Sequence, residues 1–142
     1  MYPDGQEILV VVDDRERRAR TASILADEGF AVTEVAEGLA ALRAVSARRY
    51  ALIVAAAQLP GSLDGPTTVR QARVRQPWLK ALYIEERGHR PARRNPDIDD
   101  IIAAPFERHE LIGCAFELLQ RNVGPMTDLD LSRRARTELR AS

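Results

Sequence analysis

Two adjacent carboxylates, Asp13 and Asp14, are the side chains in this sequence best placed to do chemistry. They directly follow the apolar run 8–12, so they fall at the carboxyl end of a predicted buried strand. Carboxylate oxygens suit a hard cation such as Mg²⁺, which makes the pair a weak, vestigial metal-site candidate. In the alternative interpretation, Asp14 caps the following helix and Asp13 is a remnant or a hydrogen-bond acceptor.

A second stretch, 51–57, is apolar throughout and predicts a strand that is buried on both faces. It ends in three alanines, just before a turn that contains Pro60. In an open parallel sheet, functional groups lie beyond the carboxyl ends of the strands. This strand therefore brings no carboxylate, hydroxyl, thiol or imidazole to that edge of the sheet.

Composition limits the classes of function. The 142 residues carry 21 Lys+Arg and 21 Asp+Glu, so net charge gives no basis for attraction to nucleic acid or to an anionic membrane. The single cysteine, Cys114, excludes an intrachain disulfide and suits a reducing compartment. No apolar run approaches the roughly 18 residues of a membrane span, and the first residues lack a signal pattern. We expect a soluble, cytoplasmic protein.

Strand and helix patterns alternate along residues 7–122 and predict one domain with a parallel sheet between helices. The predicted strands are 7–14, 31–36, 50–57, 79–84 and 100–103, and the predicted helices are 15–30, 38–49, 66–76 and 107–122. Prolines in 85–96 require any helix there to be short or broken. Residues 1–6 are expected to be a polar lead-in, and residues 123–142 a tail that is either frayed or a short helix.

The first predicted helix is amphipathic. Ala22, Leu25, Ala26 and Gly29 recur at helical spacing and predict the buried face, opposite a face rich in arginine. Asp14 is the predicted N-cap, and Gly29 is the predicted stop.

These motifs, in this order, resemble the receiver domain of bacterial response regulators. The acid pair ends the first strand, Leu59-Pro60-Gly61 and Asp64-Gly65 follow the third, and Ala104-Pro105-Phe106 follows the fifth. The resemblance covers Gln6 to about Asn122. It implies a flavodoxin-like, doubly wound (βα)5 sheet with strand order 2-1-3-4-5 and a role in two-component phosphorelay signal transduction.

In that family a histidine kinase passes a phosphoryl group to an aspartate at the end of the third strand. The resemblance implies that Asp13 and Asp14 match the metal-binding acids. It places the phosphoacceptor position on Ala56, the hydroxyl position on Glu85 and the lysine position on Ala104. A methyl group cannot accept a phosphoryl group, so three of the five groups that the chemistry needs are absent.

No shift of the alignment restores these groups. The sequence has no Asp or Glu between Ala51 and Leu63, and Asp64 is better interpreted as a turn or cap residue. The only lysine, Lys80, begins the predicted fourth strand and so lies at the opposite edge of the sheet. The family's aromatic switch position falls on Ile101.

The sequence therefore predicts a pseudo-receiver with no enzymatic activity and no cofactor. We expect it to act through contact with a protein partner, which is a kinase, an output domain or another regulator, with a homodimer as a further option. Two interpretations of Glu85 are open: its charge mimics a phosphate, or it is a solvated carboxylate at the end of a strand.

An alternative function rests on the arginines between the predicted fourth and fifth strands, Arg87, Arg90, Arg93 and Arg94. Guanidinium forks match phosphate groups. Some receiver-like proteins bind a cyclic dinucleotide through an arginine-rich segment here, which implies a binder of such a dinucleotide or of another anion. The other interpretation is a solvated loop.

Overall fold

The computed structural model describes residues 6–86 and 100–121. In these ranges the elements are β1 (Glu7–Val11), α1 (Arg15–Asp27), β2 (Ala31–Val35), α2 (Gly38–Ala47), β3 (Leu52–Ala56), α3 (Gly65–Arg75), β4 (Lys80–Glu86), β5 (Asp100–Ala104) and α4 (Arg108–Arg121). All paired strands are parallel, in the order β2-β1-β3-β4-β5. The predicted fold is therefore confirmed.

Three predictions fall on residues outside the described ranges. They concern the start of the lead-in, residues 87–96 with the arginine segment and any short or broken helix, and the tail 123–142. Among the helices that are described, none combines the length and the apolar character that crossing a membrane requires.

The core consists of two layers, one on each face of the sheet. Alternate residues of the central strands, such as Ile8 and Leu52, face the layer that α1 and α4 cover. Their neighbours, such as Leu9 and Ile53, face the layer that α2 and α3 cover. All five residues of β3 are buried, as the unbroken apolar run predicts for a strand covered on both faces.

The buried face of α1 differs from the predicted one. Its buried residues are Thr21, Ala22, Ile24 and Leu25, whereas Ala26 and Gly29 are exposed. The helix ends at Asp27, and Gly29 has a φ of 98° outside it, so its position is that of a helix stop. Thr21 can be buried because its hydroxyl donates to the Arg17 carbonyl oxygen at 2.8 Å.

Two carboxylates begin helices at the carboxyl edge of the sheet. Asp14 accepts the Arg17 backbone N–H at 2.8 Å and caps α1. Asp64 accepts the Thr67 backbone N–H at 2.9 Å and caps α3. Both predicted caps are confirmed, and both satisfy N–H groups that the first turn of a helix leaves without partners.

The amino edge of the sheet is tied together by a buried glutamine, Gln76, which is 4% exposed. Its Oε1 accepts the Tyr50 backbone N–H at 2.8 Å. Its Nε2 donates to the carbonyl oxygens of Val45 at 2.9 Å and Arg48 at 2.7 Å. The ends of α2 and α3 and the start of β3 are thus joined through one side chain. Sequence reasoning did not identify this residue.

The lone thiol, Cys114, is half-buried on α4 and packs against the core layer beneath that helix. Burial, followed by the negative charge of Asp100, raises the pKa of this thiol to about 11. It therefore stays protonated near neutral pH, which agrees with the prediction that it packs as a small hydrophobic side chain.

Candidate functional site

A cleft of about 610 Å³ opens at the carboxyl edge of the sheet, between the ends of β1, β3 and β4. Three of the predicted site positions line it, namely Asp13, Ala56 and Glu85. A neighbouring depression is lined by the other two, Asp14 and Ala104. The fold thus gathers all five positions around one edge, although they come from four different strands or strand ends.

The two acids of the pair have different positions and contacts. Asp13 is exposed and lines the cleft. Asp14 lies outside the cleft lining, and its Oδ2 is engaged by the first turn of α1. Within residues 6–86 and 100–121, no three Asp, Glu, His or Cys side chains are grouped so that they could hold a metal ion. Among these residues the acid pair is thus not joined by a third such side chain, and metal binding by Asp13 and Asp14 stays a prediction.

The end of β3 is apolar and closely packed. Ala56 is the last residue of the strand and is buried. Gly65, at the start of α3, lies so close that an added Cβ would clash with the Ala56 carbonyl oxygen. The next acid along the chain, Asp64, lines the cleft but accepts the N–H of Thr67 as a helix cap.

Glu85 is not the solvated strand-end carboxylate of one interpretation, because it is only 8% exposed. The physical reason is that β4 runs two residues further than predicted, to Glu86. Glu85 therefore lies inside the ladder, in register with Ala103 of β5, and Glu86 becomes the exposed end. The idea that the charge of Glu85 mimics a phosphate stays a prediction.

The remaining positions follow the register of the outer strands. Ala104 is the last residue of β5 and is buried in the layer beneath α4. Ile101 is partly buried and packs against the opposite layer, in register with Tyr83. Lys80 is the first residue of β4, so it lies at the amino edge, as predicted.

Sequence reasoning missed an ion pair beside the cleft. Arg17 Nη1 lies 2.8 Å from Glu86 Oε1, and the two side chains are 34% and 53% exposed. Both residues line the cleft and also the neighbouring depression. Arg17 lies one helical turn after the acid pair, and this spacing could have indicated that its side chain lies near the cleft. Its partner lies 69 residues away, at a strand end that the sequence pattern placed too early.

The cleft is electrostatically unfavourable for an added anion. Of the described residues that line it, four carry carboxylates and one carries a guanidinium: Asp13, Asp64, Glu85, Glu86 and Arg17. Repulsion between like charges is stronger beside the protein than in bulk water, because the protein has a lower dielectric constant. Among these described residues, a phosphoryl group in this cleft would meet more negative than positive side chains.

The sequence matches known receiver proteins along most of its length. Residues 8–115 match the response regulator receiver domain family. The chain is 34% identical over 125 residues to the transcriptional regulatory protein TcrA of Mycobacterium tuberculosis, in an alignment that covers 86% of this chain and 48% of that protein. It thus spans about half the length of that relative.

Solved structures show the same architecture. A response regulator receiver protein from Sinorhizobium medicae superposes with a TM-score of 0.75 at 26% identity, covering 84% of this chain and 98% of that one. The receiver domain of a sensor histidine kinase from Pseudomonas aeruginosa, which has a magnesium ion in its active-site cleft, superposes with a TM-score of 0.70 at 31% identity. That match covers 85% of this chain and 99% of the other.

The arginine segment of the alternative function, Arg87, Arg90, Arg93 and Arg94, lies outside the described residues. Anion or dinucleotide binding through it stays a prediction from the sequence.

Proposed function

This chain belongs to the response regulator receiver family of two-component systems, and we propose that it is a receiver that is not phosphorylated. The observation that carries the proposal is the alanine at the end of β3, where the cleft presents a methyl group. Phosphoryl transfer to a protein needs an oxygen, nitrogen or sulfur nucleophile at the reacting position. Ala56 supplies none.

The surroundings of Ala56 support the same conclusion. Enzymes and receivers of phosphoryl groups place cations where negative charge develops. Here the end of β5 carries a second methyl group, that of Ala104, and among the described residues that line the cleft the acids outnumber the arginine, Arg17. With Asp14 occupied as a helix cap, we assign no step to a metal ion.

We propose that the protein signals through contacts with other proteins and has no catalytic activity of its own. Candidate partners are a kinase, an output domain or another regulator, and a second copy of this chain. One relative, TcrA, is named as a transcriptional regulator and is about twice as long as the matched region. This supports an output domain of the transcriptional type as one partner, with the cytoplasm as the compartment.

The test is exposure of the intact protein to acetyl phosphate and Mg²⁺, followed by mass spectrometry. We expect no phosphoryl adduct on the wild-type chain, while an ordinary receiver with an acceptor aspartate, treated in parallel, gains one. Binding to any captured partner should be equally strong with and without acetyl phosphate.

Two variants locate the acceptor if the expectation fails. Asp13→Asn and Asp64→Asn each remove one exposed acid from the cleft lining. An adduct on the wild-type chain would contradict the proposal, and its loss in one variant would identify a displaced acceptor.

A further inference from the structure

Three arginines on the first turns of α1 reach three different parts of the carboxyl edge. Side chains on a helix point back towards its N-terminus, and α1 begins at this edge, directly after Asp14. Arg17, Arg18 and Arg20 are therefore directed towards the loops and strand ends around the cleft. The sequence pattern had indicated only an arginine-rich face opposite the buried one.

Arg17 connects α1 to the end of β4. Its guanidinium pairs with Glu86 at 2.8 Å. Because Glu86 is in register with Ala104, this pair lies beside the position where the family's lysine would stand.

Arg18 holds the loop that follows β1. Its Nη1 donates to the carbonyl oxygens of Val12 at 2.9 Å and Asp13 at 3.2 Å. Its Nε lies 3.9 Å from a carboxylate oxygen of Glu34 on β2. One side chain thus fixes the backbone at the acid position and connects it to the neighbouring strand.

Arg20 holds the turn between β5 and α4. Its Nη2 donates to the Phe106 carbonyl oxygen at 2.8 Å. Its guanidinium carbon also lies 5.1 Å from the centre of the Phe106 ring, a favourable cation–π distance. The turn is held both through its backbone and through its side chain.

We propose that Arg17, Arg18 and Arg20 form an arginine brace that holds the carboxyl edge in one conformation without a metal ion or a phosphoryl group. This inference rests on the proposed function and deepens it, because a receiver without covalent control needs another determinant of its loop conformation. The brace uses charges that are part of the chain, so its contacts are present whether or not a ligand arrives. The protein then presents the carboxyl edge to its partners in one fixed conformation.

The experiment is hydrogen–deuterium exchange of the full chain, followed by mass spectrometry of peptides. The variants are Arg17→Ala, Arg18→Ala and Arg20→Ala, and the triple variant. Arg15→Ala is the matched control, because Arg15 lies on the same helix turn, is exposed and has no ion pair or side-chain hydrogen bond to the described residues. Peptides covering β3 report on global unfolding.

Each variant should loosen the segment that its arginine contacts. For Arg20→Ala we expect about tenfold faster exchange between β5 and α4, because a charged donor to a carbonyl is lost. For Arg17→Ala we expect about threefold faster exchange at the end of β4, because that pair is more exposed. Glu86→Gln should reproduce this effect. For Arg18→Ala the increase falls on residues 12–14, and the triple variant should show all three.

Unchanged exchange in these segments would overturn the brace. An equal increase in β3 would also overturn it, because the arginines would then contribute only to overall stability. The Arg15→Ala control should match the wild-type chain throughout. The readout does not involve phosphorylation, so an adduct in the acetyl phosphate experiment would overturn the proposed function alone.

Discussion

The two edges of the sheet are held together by different kinds of contact. At the amino edge, a buried glutamine satisfies three backbone groups of its neighbours. At the carboxyl edge, partly exposed arginines and helix caps surround an open cleft. Buried hydrogen bonds are costly to break, whereas exposed ion pairs contribute little each. We therefore expect Gln76 at the amino edge to contribute more to global stability than any single ion pair at the carboxyl edge.

The alanines at the carboxyl edge are consistent with this difference between the two edges. Ala56 and Ala104 are buried and belong to the core layer beneath α1 and α4. A buried methyl group needs no hydrogen-bond partner and no counter-charge, whereas a buried carboxylate or ammonium group needs both. The methyl groups of Ala56 and Ala104 therefore pack in this layer without a desolvation cost.

Substitution of the buried Gln76 is expected to have the largest effect on the difference between the two edges. Gln76→Ala leaves one N–H and two carbonyl groups without their partner. We expect it to lower the free energy of unfolding by about 3 kcal/mol, since each unsatisfied buried group costs about 1–3 kcal/mol and water recovers part of the loss. Urea denaturation measures the change.

The matched control for this experiment is Gln71→Ala. Gln71 lies on α3, the helix that ends just before Gln76, but it is exposed, so its substitution should change the free energy of unfolding by less than about 0.5 kcal/mol. Equal effects of the two substitutions would show that the amino edge does not depend on Gln76.

A second prediction concerns a close backbone contact at the carboxyl edge. Gly65→Ala places a methyl group against the Ala56 carbonyl oxygen and should destabilise the protein by about 2 kcal/mol through overpacking. Gly113→Ala is the control, because an added Cβ there meets open space on α4. That substitution should stabilise by about 0.5–1 kcal/mol, since alanine favours a helix interior. Thermal denaturation distinguishes the two signs.

The smallest expected changes in the free energy of unfolding concern Asp13 and Asp14. Asp14→Ala removes the N-cap of α1 and should cost about 1 kcal/mol, whereas Asp14→Ser should recover most of it. Asp13→Ala removes an exposed side chain and should change stability by less than about 0.5 kcal/mol. Chemical denaturation in the presence and absence of Mg²⁺ measures both. If Mg²⁺ stabilises the wild-type chain and either alanine variant abolishes this effect, the pair binds the metal ion, and the assignment of Asp14 to helix capping alone is wrong.

Several parts of the fold were predictable because they depend on local pattern. The run 51–57 is apolar throughout, which led directly to a strand buried on both faces. The caps at Asp14 and Asp64 were predictable because each precedes a helical pattern with the right side chain. The buried face of α1 was predicted less well, since small residues such as Ala26 carry little information about direction.

The site was predictable only as a set of positions. Ala56 lies inside its strand, as predicted, whereas Glu85 and Ala104 belong to strands that were predicted to end before them. The burial of Glu85 was also not anticipated. Its burial depends on the length of β4 and on its pairing with β5. Both depend on the assembled sheet, so a short stretch of sequence cannot indicate them.

Residue type and spacing were enough to establish the alternation of elements, the apolar end of β3 and the lack of any Asp or Glu between Ala51 and Leu63. Which charged groups come into contact depends on the tertiary structure. Arg17 and Glu86 are 69 residues apart, and Arg20 and Phe106 are 86 apart. Such contacts form when the strands align at one edge, so their partners depend on register and helix direction, which a single sequence does not display.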